Sequence, residues 1–137
     1  MTDLPIEGAG PEQRAAYLET EVTVGGLSAA DALAEMGSFW VVTACNPFSE
    51  ELSSAVNAGR HAELCQRLGN DGLTWQPAVG SSTDGVWAEE SVAVVGIDLV
   101  AARSLGREFG QNAVFEVADG MLRVHACFDG WIDECPL

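Results

Sequence analysis

The sequence predicts an α+β fold, and three features of its patterning predict it. Phe39, Trp40, Val41 and Val42 form a continuous apolar run, and Ser91 to Ile97 forms another, as strands buried on both faces do. Between and around these runs, apolar residues recur at helical spacing behind capping residues and ahead of glycines. Asp119 and Gly120 sit between two alternating segments, the composition of a tight β-hairpin. With 137 residues, 47% of them hydrophobic, the chain can bury one core. A single domain is expected: a core over about 38–128, a helical extension at 11–36 and a loosely held tail at 129–137.

The first helix is expected from Pro11, a favoured first-turn residue, to about Thr20. Glu21 to Val24 alternates before Gly25 and Gly26 and reads as a minor strand. Ser28 with Asp31 three residues on resembles a capping box, opening a short helix through Met36 that Gly37 closes. The strand from Ser38 to Cys45 ends at Asn46 and Pro47. Ser49 can cap the next helix, with Glu50 and Glu51 in its first turn where the helix dipole favours acids. That helix should run to Leu68 with Leu52, Ala55, Val56, Gly59 and Ala62 as its buried stripe, Gly59 permitting close approach to a sheet.

Leu73 to Val79 alternates but contains Pro77, which cannot donate to a ladder, so an edge strand is expected. A loop from Gly80 to Glu90 leads into the second apolar run. Asp98 caps a helix through Phe109 that Gly110 stops, and the hairpin pairs Ala113–Ala118 with Met121–Phe128. From Ser38 to Ala118 the order is therefore strand, helix, strand, strand, helix, strand, the order of the ferredoxin-like split βαβ. In that arrangement the first and third strands are central and the second lies at an edge. The hairpin would extend the sheet, and the two N-terminal helices would cover its open face.

Twenty-one acids face six bases, all arginine, for a formal charge of −15. Such a chain repels phosphate backbones, which excludes direct nucleic-acid binding and attraction to an anionic membrane. The start, MTDLPIEG, is acidic where a signal peptide is basic, and no apolar run reaches the ~18 residues of a membrane span, so a cytoplasmic protein is expected. The four cysteines contain no C-x-x-C pair. His61 and Cys65 share a helix face, but two ligands fall short of the four of a structural zinc site, so no metal is expected. Phosphate-loop, dinucleotide and serine-hydrolase motifs are all missing from the sequence, and no cofactor is implied.

Under the split βαβ order, three polar segments meet at one end of the sheet: Asn46 and Ser49, then Trp87, Glu89 and Ser91, then Gln111 and Asn112. Glu89 is the candidate general acid or base, with Trp87 as a stacking platform and the amides and hydroxyls as orienting groups. Arg107 is the one nearby cation. Asn57, about 12 Å along the helix from Ser49 by the helical rise, should border the site rather than sit at its centre. Each residue also has a plain structural use, as turn former, cap or solvated charge; their convergence is what suggests a pocket.

Thr43 to Ser49 (TACNPFS), Asn57, Trp87 to Ser91 (WAEES) and Phe109 to Phe115 (FGQNAVF) resemble an uncharacterised bacterial family, domain of unknown function 3293, over roughly 16–124. The resemblance implies a polar signature at Asn46, Pro47, Ser49, Asn57, Glu89, Ser91, Gly110 and Gln111. Cys45 stands where the family pattern is expected to carry an aromatic, and the family implies no activity. Two functions are therefore weighed. The first is binding, with or without turnover, of a polar small molecule at the sheet end. The second is a non-catalytic acidic protein of nucleic-acid-mimic type that binds a basic protein partner.

Overall fold

The computed structural model describes residues 10–137. The acidic start at 1–8, set above against a signal peptide, lies outside them. Among the described residues there are four α-helices and eight strands. In chain order these are α1 (Pro11–Leu18), β1 (Glu21–Val24), β2 (Leu27–Ser28), α2 (Ala29–Met36), β3 (Phe39–Thr43), α3 (Ser54–Asn70), β4 (Thr74–Ser81), β5 (Ala88–Val95), α4 (Leu99–Glu108), β6 (Ala113–Ala118), β7 (Met121–Ala126) and β8 (Ile132–Pro136). The strands form one antiparallel sheet in the order β2-β1-β4-β5-β3-β6-β7-β8, curled into a half-barrel. The fold is α+β.

β3 and β5 are buried on both faces, as their unbroken apolar runs require. On one face, Trp40 and Val42 of β3 and Val92 and Val94 of β5 pack with Leu64 and Leu68 of α3 and Ala102 and Leu105 of α4. On the other, Phe39, Val41 and Ala93 meet Ala32 of α2 with Val22, Val24, Val117 and Leu122. Ser28 caps α2 by accepting from the Asp31 amide, and Asp98 caps α4 by accepting from the Ala101 amide. The β6–β7 turn has φ of +55° at Asp119 and +73° at Gly120, the paired left-handed conformation that Asp-Gly favours.

Several expectations need correction. β4 is not an edge strand: β1 pairs along Ala78–Ser81 and β5 along its whole length. Pro77 is tolerated because its carbonyl, and with it the side of the missing N–H, faces Gly25 at the turn where the β1 ladder ends. The 129–137 tail is not loose, since β8 pairs with β7 from Met121 to His125. The loop expected over 80–90 shrinks to 82–87, which places Glu89 inside β5. α2 covers the second face, while α1 buries no residue completely and rests against β7 and β8, where Arg14 grips Asp133 through two bonds of 2.7 and 2.8 Å.

The largest correction concerns α3. It starts at Ser54, capped by Ser53, whose hydroxyl accepts from the Val56 amide, and not at Ser49. Asn46, Phe48 and Ser49 have φ of +47°, +54° and +61°, so the chain coils into a tight turn before any helix can begin. The expected stripe is then rotated outward: Ala55, Val56, Gly59 and Ala62 are exposed. The inward positions are Asn57, His61, Leu64 and Leu68, polar at the start of the helix and apolar at its end. Gly59 has open space beside it. The close approach belongs to Gly106 of α4, where a Cβ would lie 2.6 Å from Cys127 Sγ and 2.7 Å from Val114 Cγ1.

Candidate functional site

The end of β3, the start of β5 and the start of β6 lie at the same end of the sheet, because β3 runs antiparallel to both of its neighbours. A cleft with room for about 170 Å³ of solvent opens there, lined by Cys45 and Asn46 after β3, Ser54 and Asn57 on the first turn of α3, and Glu89 and Glu90 of β5. Asn46 is its pivot. Its left-handed backbone suits an Asn side chain, and every hydrogen-bonding group of that side chain has a partner. Oδ1 accepts from the Leu52 amide and from Asn57 Nδ2, each at 2.9 Å, and Nδ2 donates to Glu89 Oε2 at 2.8 Å. The Asn46 backbone N–H in turn donates to Asn57 Oδ1 at 3.0 Å. Two donors on Oδ1 fix which way the amide points, so Glu89 always meets an N–H.

Glu89 is partly buried, and burial pushes its carboxyl above the usual range, against the opposing effect of the Asn46 bond. Among the described residues, its Oε1 has no hydrogen-bond partner. The site therefore presents an acid with one oxygen clamped and the other free, the arrangement of a group that exchanges a proton or accepts a hydrogen bond from a ligand. Among the described residues, no cation lines the cleft. Arg107, expected nearby, instead turns its Nε to the Cys127 carbonyl. A cation present at this end of the sheet is Arg60, whose Nε and Nη2 donate to the Ala44 and Phe109 carbonyls, both at 2.6 Å, tying the turn after β3 to the end of α4.

The expected residues separate into three groups. Asn46, Asn57 and Glu89 meet at the cleft, with Asn57 at its centre because α3 begins three residues before it. Ser49, Ser91, Gln111 and Asn112 stand behind that surface. Gln111 Nε2 donates to the Cys45 and Phe109 carbonyls at 3.0 and 3.1 Å, and Ser91, 3% exposed, donates to the Glu89 carbonyl. Ser49 Oγ accepts from Gln13 and, at 3.5 Å, from Asn112. Trp87 lies exposed in the β4–β5 connection and does not line the cleft.

Two contributors escaped sequence reasoning. Arg60 sits on the inward side of a helix whose stripe was misplaced. Tyr17 of α1 brings its phenol to Ser49 and Asn112 with Glu89 nearby; burial pushes its pKa up, the two hydrogen bonds oppose the rise, and the Glu89 charge adds to it. Neither had a neighbouring motif to signal it. A Cys–His–carboxylate chain is present but unsuited to nucleophilic catalysis. Cys65 Sγ at 3.5 Å and Glu90 Oε2 at 3.3 Å approach the same ring nitrogen, His61 Nε2, and burial raises the Cys65 thiol. Cys45 is likewise raised by burial. Among the described residues, no group of three His, Cys, Asp or Glu side chains is placed to hold a metal ion.

A family model described as a protein of unknown function, DUF3293, matches residues 42–114, more than half of the chain. The chain belongs to that family. No curated protein and no solved structure matches it. The DUF3293 match is narrower than the resemblance over 16–124. It runs from within β3 to the start of β6, and so contains Asn46, Asn57, Arg60, Glu89 and Gln111 while leaving out Tyr17 and Gln13 of α1.

Proposed function

We propose that this DUF3293 protein binds a small polar molecule in the Glu89 cleft and that Glu89 is the group that exchanges a proton with it or accepts its hydrogen bond. One observation carries this: a half-buried carboxyl that lines a cleft, raised by desolvation, has one oxygen held by Asn46 and the other without a partner among the described residues. At ~10–15 Å³ per water-sized position, about 170 Å³ suits a ligand on the order of ten non-hydrogen atoms. With Glu89 and Glu90 on the walls and no cation among the described residues that line it, the chemistry favours hydroxyl or amino groups over phosphates. We also infer that β3, α3, β4, β5, α4 and β6 constitute a ferredoxin-like split βαβ. The strand order β4-β5-β3-β6 supports it, with β1 and β7 added outside. Four free cysteines support a cytoplasmic setting.

A second function rests on the charge. All six guanidiniums are engaged, three with carboxylates and three with backbone carbonyls, so the excess acids are left uncompensated toward a basic partner. Thermal shift across polyols, amino sugars, amino acids and nucleotides, with Glu89→Gln beside the wild type, separates the two. A ligand at a hundred times its Kd adds ~2.7 kcal/mol. Stabilisation by a polyol or amine that Glu89→Gln abolishes is the expected result. A silent panel, together with a complex with a basic protein that dissolves as salt rises and survives Glu89→Gln, would overturn the first function in favour of the second.

A further inference from the structure

A second cleft, sharing no lining residue with the Glu89 cleft, opens between the start of α4 and the β7–β8 connection. Leu99 and Arg103 of α4 line it together with His125, Ala126 and the turn at 129–131. Its room is about 40 Å³, which at ~10–15 Å³ per water-sized position holds about three heavy atoms.

Three of its residues, His125, Arg103 and Trp131, carry buried polar atoms with no hydrogen-bond partner among the described residues. His125 is 6% exposed; its Nε2 lies 2.9 Å from Glu116 Oε1, its ring packs 5.1 Å from that of Trp40, and its Nδ1 has no hydrogen-bond partner. Arg103 donates from Nη2 to the Asp129 carbonyl at 3.1 Å, and its buried Nε–H has no partner. The Trp131 Nε1–H is buried and unpartnered as well; folded proteins seldom leave such atoms unpaired, and three on one cleft point to a ligand.

The chemistry of that ligand follows from proton placement. Nε2 faces a carboxylate and so carries a hydrogen, which makes Nδ1 an acceptor in the neutral ring and a donor in the protonated one. Arg103 Nε–H and Trp131 Nε1–H supply fixed donors. Charged groups surround the ring: Glu116 from β6, Arg123 from β7 at 3.7 Å from Glu116, Arg103 from α4, and Asp129 on the cleft wall. Asp129 opposes a bare anion, so an anion is accommodated when the imidazole gains a proton.

We propose that this cleft binds a small monocarboxylate and takes up one proton with it, the acid's oxygens accepting from Arg103 Nε–H, from Trp131 Nε1–H and from His125 Nδ1–H. A planar three-atom carboxylate head matches both the size of the cleft and its three donors.

The test is an NMR titration of the full chain with sodium acetate at pH 5.5, 6.5 and 7.5, ionic strength being held constant with sodium chloride. The chain has only two histidines, so His61, on α3 and outside this cleft, serves as the internal control. Saturable shifts of the His125 ring and the Arg103 Nε–H are expected, with affinity rising up to tenfold per unit fall in pH. Acetamide should bind without that pH dependence, and Arg103→Gln should weaken acetate at least tenfold while leaving the backbone spectrum dispersed. If Arg103→Gln disturbs α4, His125→Gln provides the same comparison. Linear shifts, equal shifts with chloride, or an acetate affinity flat in pH or unchanged in these variants would show a cleft that holds water only, and would overturn the proposal.

Discussion

The two halves of α3 share one inward stripe and use it for opposite ends. In the second half, Leu64 and Leu68 are fully buried against β3, β5 and α4. In the first, Asn57, Arg60 and His61 occupy the equivalent positions and turn amide, guanidinium and imidazole toward the end of the sheet. Their partners are the backbone of the turn after β3, the Phe109 carbonyl and the side chains of Asn46 and Glu90, while His61 Nδ1 is buried without a partner among the described residues. The same helix thus acts as core at one end and as scaffold for a site at the other. Stability and binding should be separable along its length.

The sharpest separation comes from Leu64→Ala. Truncating a fully buried leucine costs ~3 kcal/mol, on the order of ten degrees in Tm for a chain of this size. Below the new Tm, ligand affinity at the Glu89 cleft should remain within about twofold; calorimetric unfolding paired with titration tests both statements. A large loss of affinity in the folded mutant would break the division between the halves.

Asn57→Ala should do the reverse. It removes the acceptor for the Asn46 N–H and a donor to Asn46 Oδ1, a cost of ~1–3 kcal/mol, and it frees the amide that clamps Glu89. Binding should fall more than tenfold at temperatures where the protein remains folded. Denaturant unfolding and titration on the same sample supply the comparison.

A smaller effect separates Glu89 from ordinary surface acids. Its folded pKa lies above its unfolded value, so its favourable contribution is complete below the unfolded value near ~4.3 and disappears as pH rises through the folded one. Glu89→Gln keeps an acceptor for Asn46 without the buried charge. Its Tm relative to wild type should therefore climb as pH rises from about 4 toward neutrality and then level off. A difference that shrinks over this range would contradict the assigned burial. Smallest of all, Val56→Ser should change stability by no more than ~0.5 kcal/mol, because Val56 is 50% exposed although it fell on the stripe that simple periodicity selects.

That last residue shows where the sequence was legible and where it was not. β3, β5, α4 and the Asp119-Gly120 turn announced themselves because their local composition and their tertiary role agree. The start of α3 did not, since Ser49, Glu50 and Glu51 make a good helix opening in isolation. The turn fixed by Asn46, Asn57 and Gly110 overrides it: a Cβ on Gly110 would stand 2.9 Å from Pro47 Cβ, and the Phe48 amide donates to the Gly110 carbonyl at 2.7 Å. A stripe that is polar where it meets a site cannot be found by searching for apolar periodicity. Glu89 and Asn46 were visible as polar residues at the edges of buried strands. Asn57 was displaced by the misplaced helix start, and Tyr17 came from an element with no sequence link to the others.

The curl of the sheet leaves it with two open margins, and each is poorly suited to recruit another chain. One margin is β2, only two residues long. The other, β8, carries Asp133, Glu134 and Pro136, and α1 rests against it through the Arg14–Asp133 pair with the guanidinium stacked 4.6 Å over Trp131. An incoming strand would meet like charge, a missing donor and a helix in its way. Two strands as apolar as β3 and β5 are a hazard for aggregation whenever they are exposed. The protein keeps them in the middle of the sheet, behind margins that do not propagate.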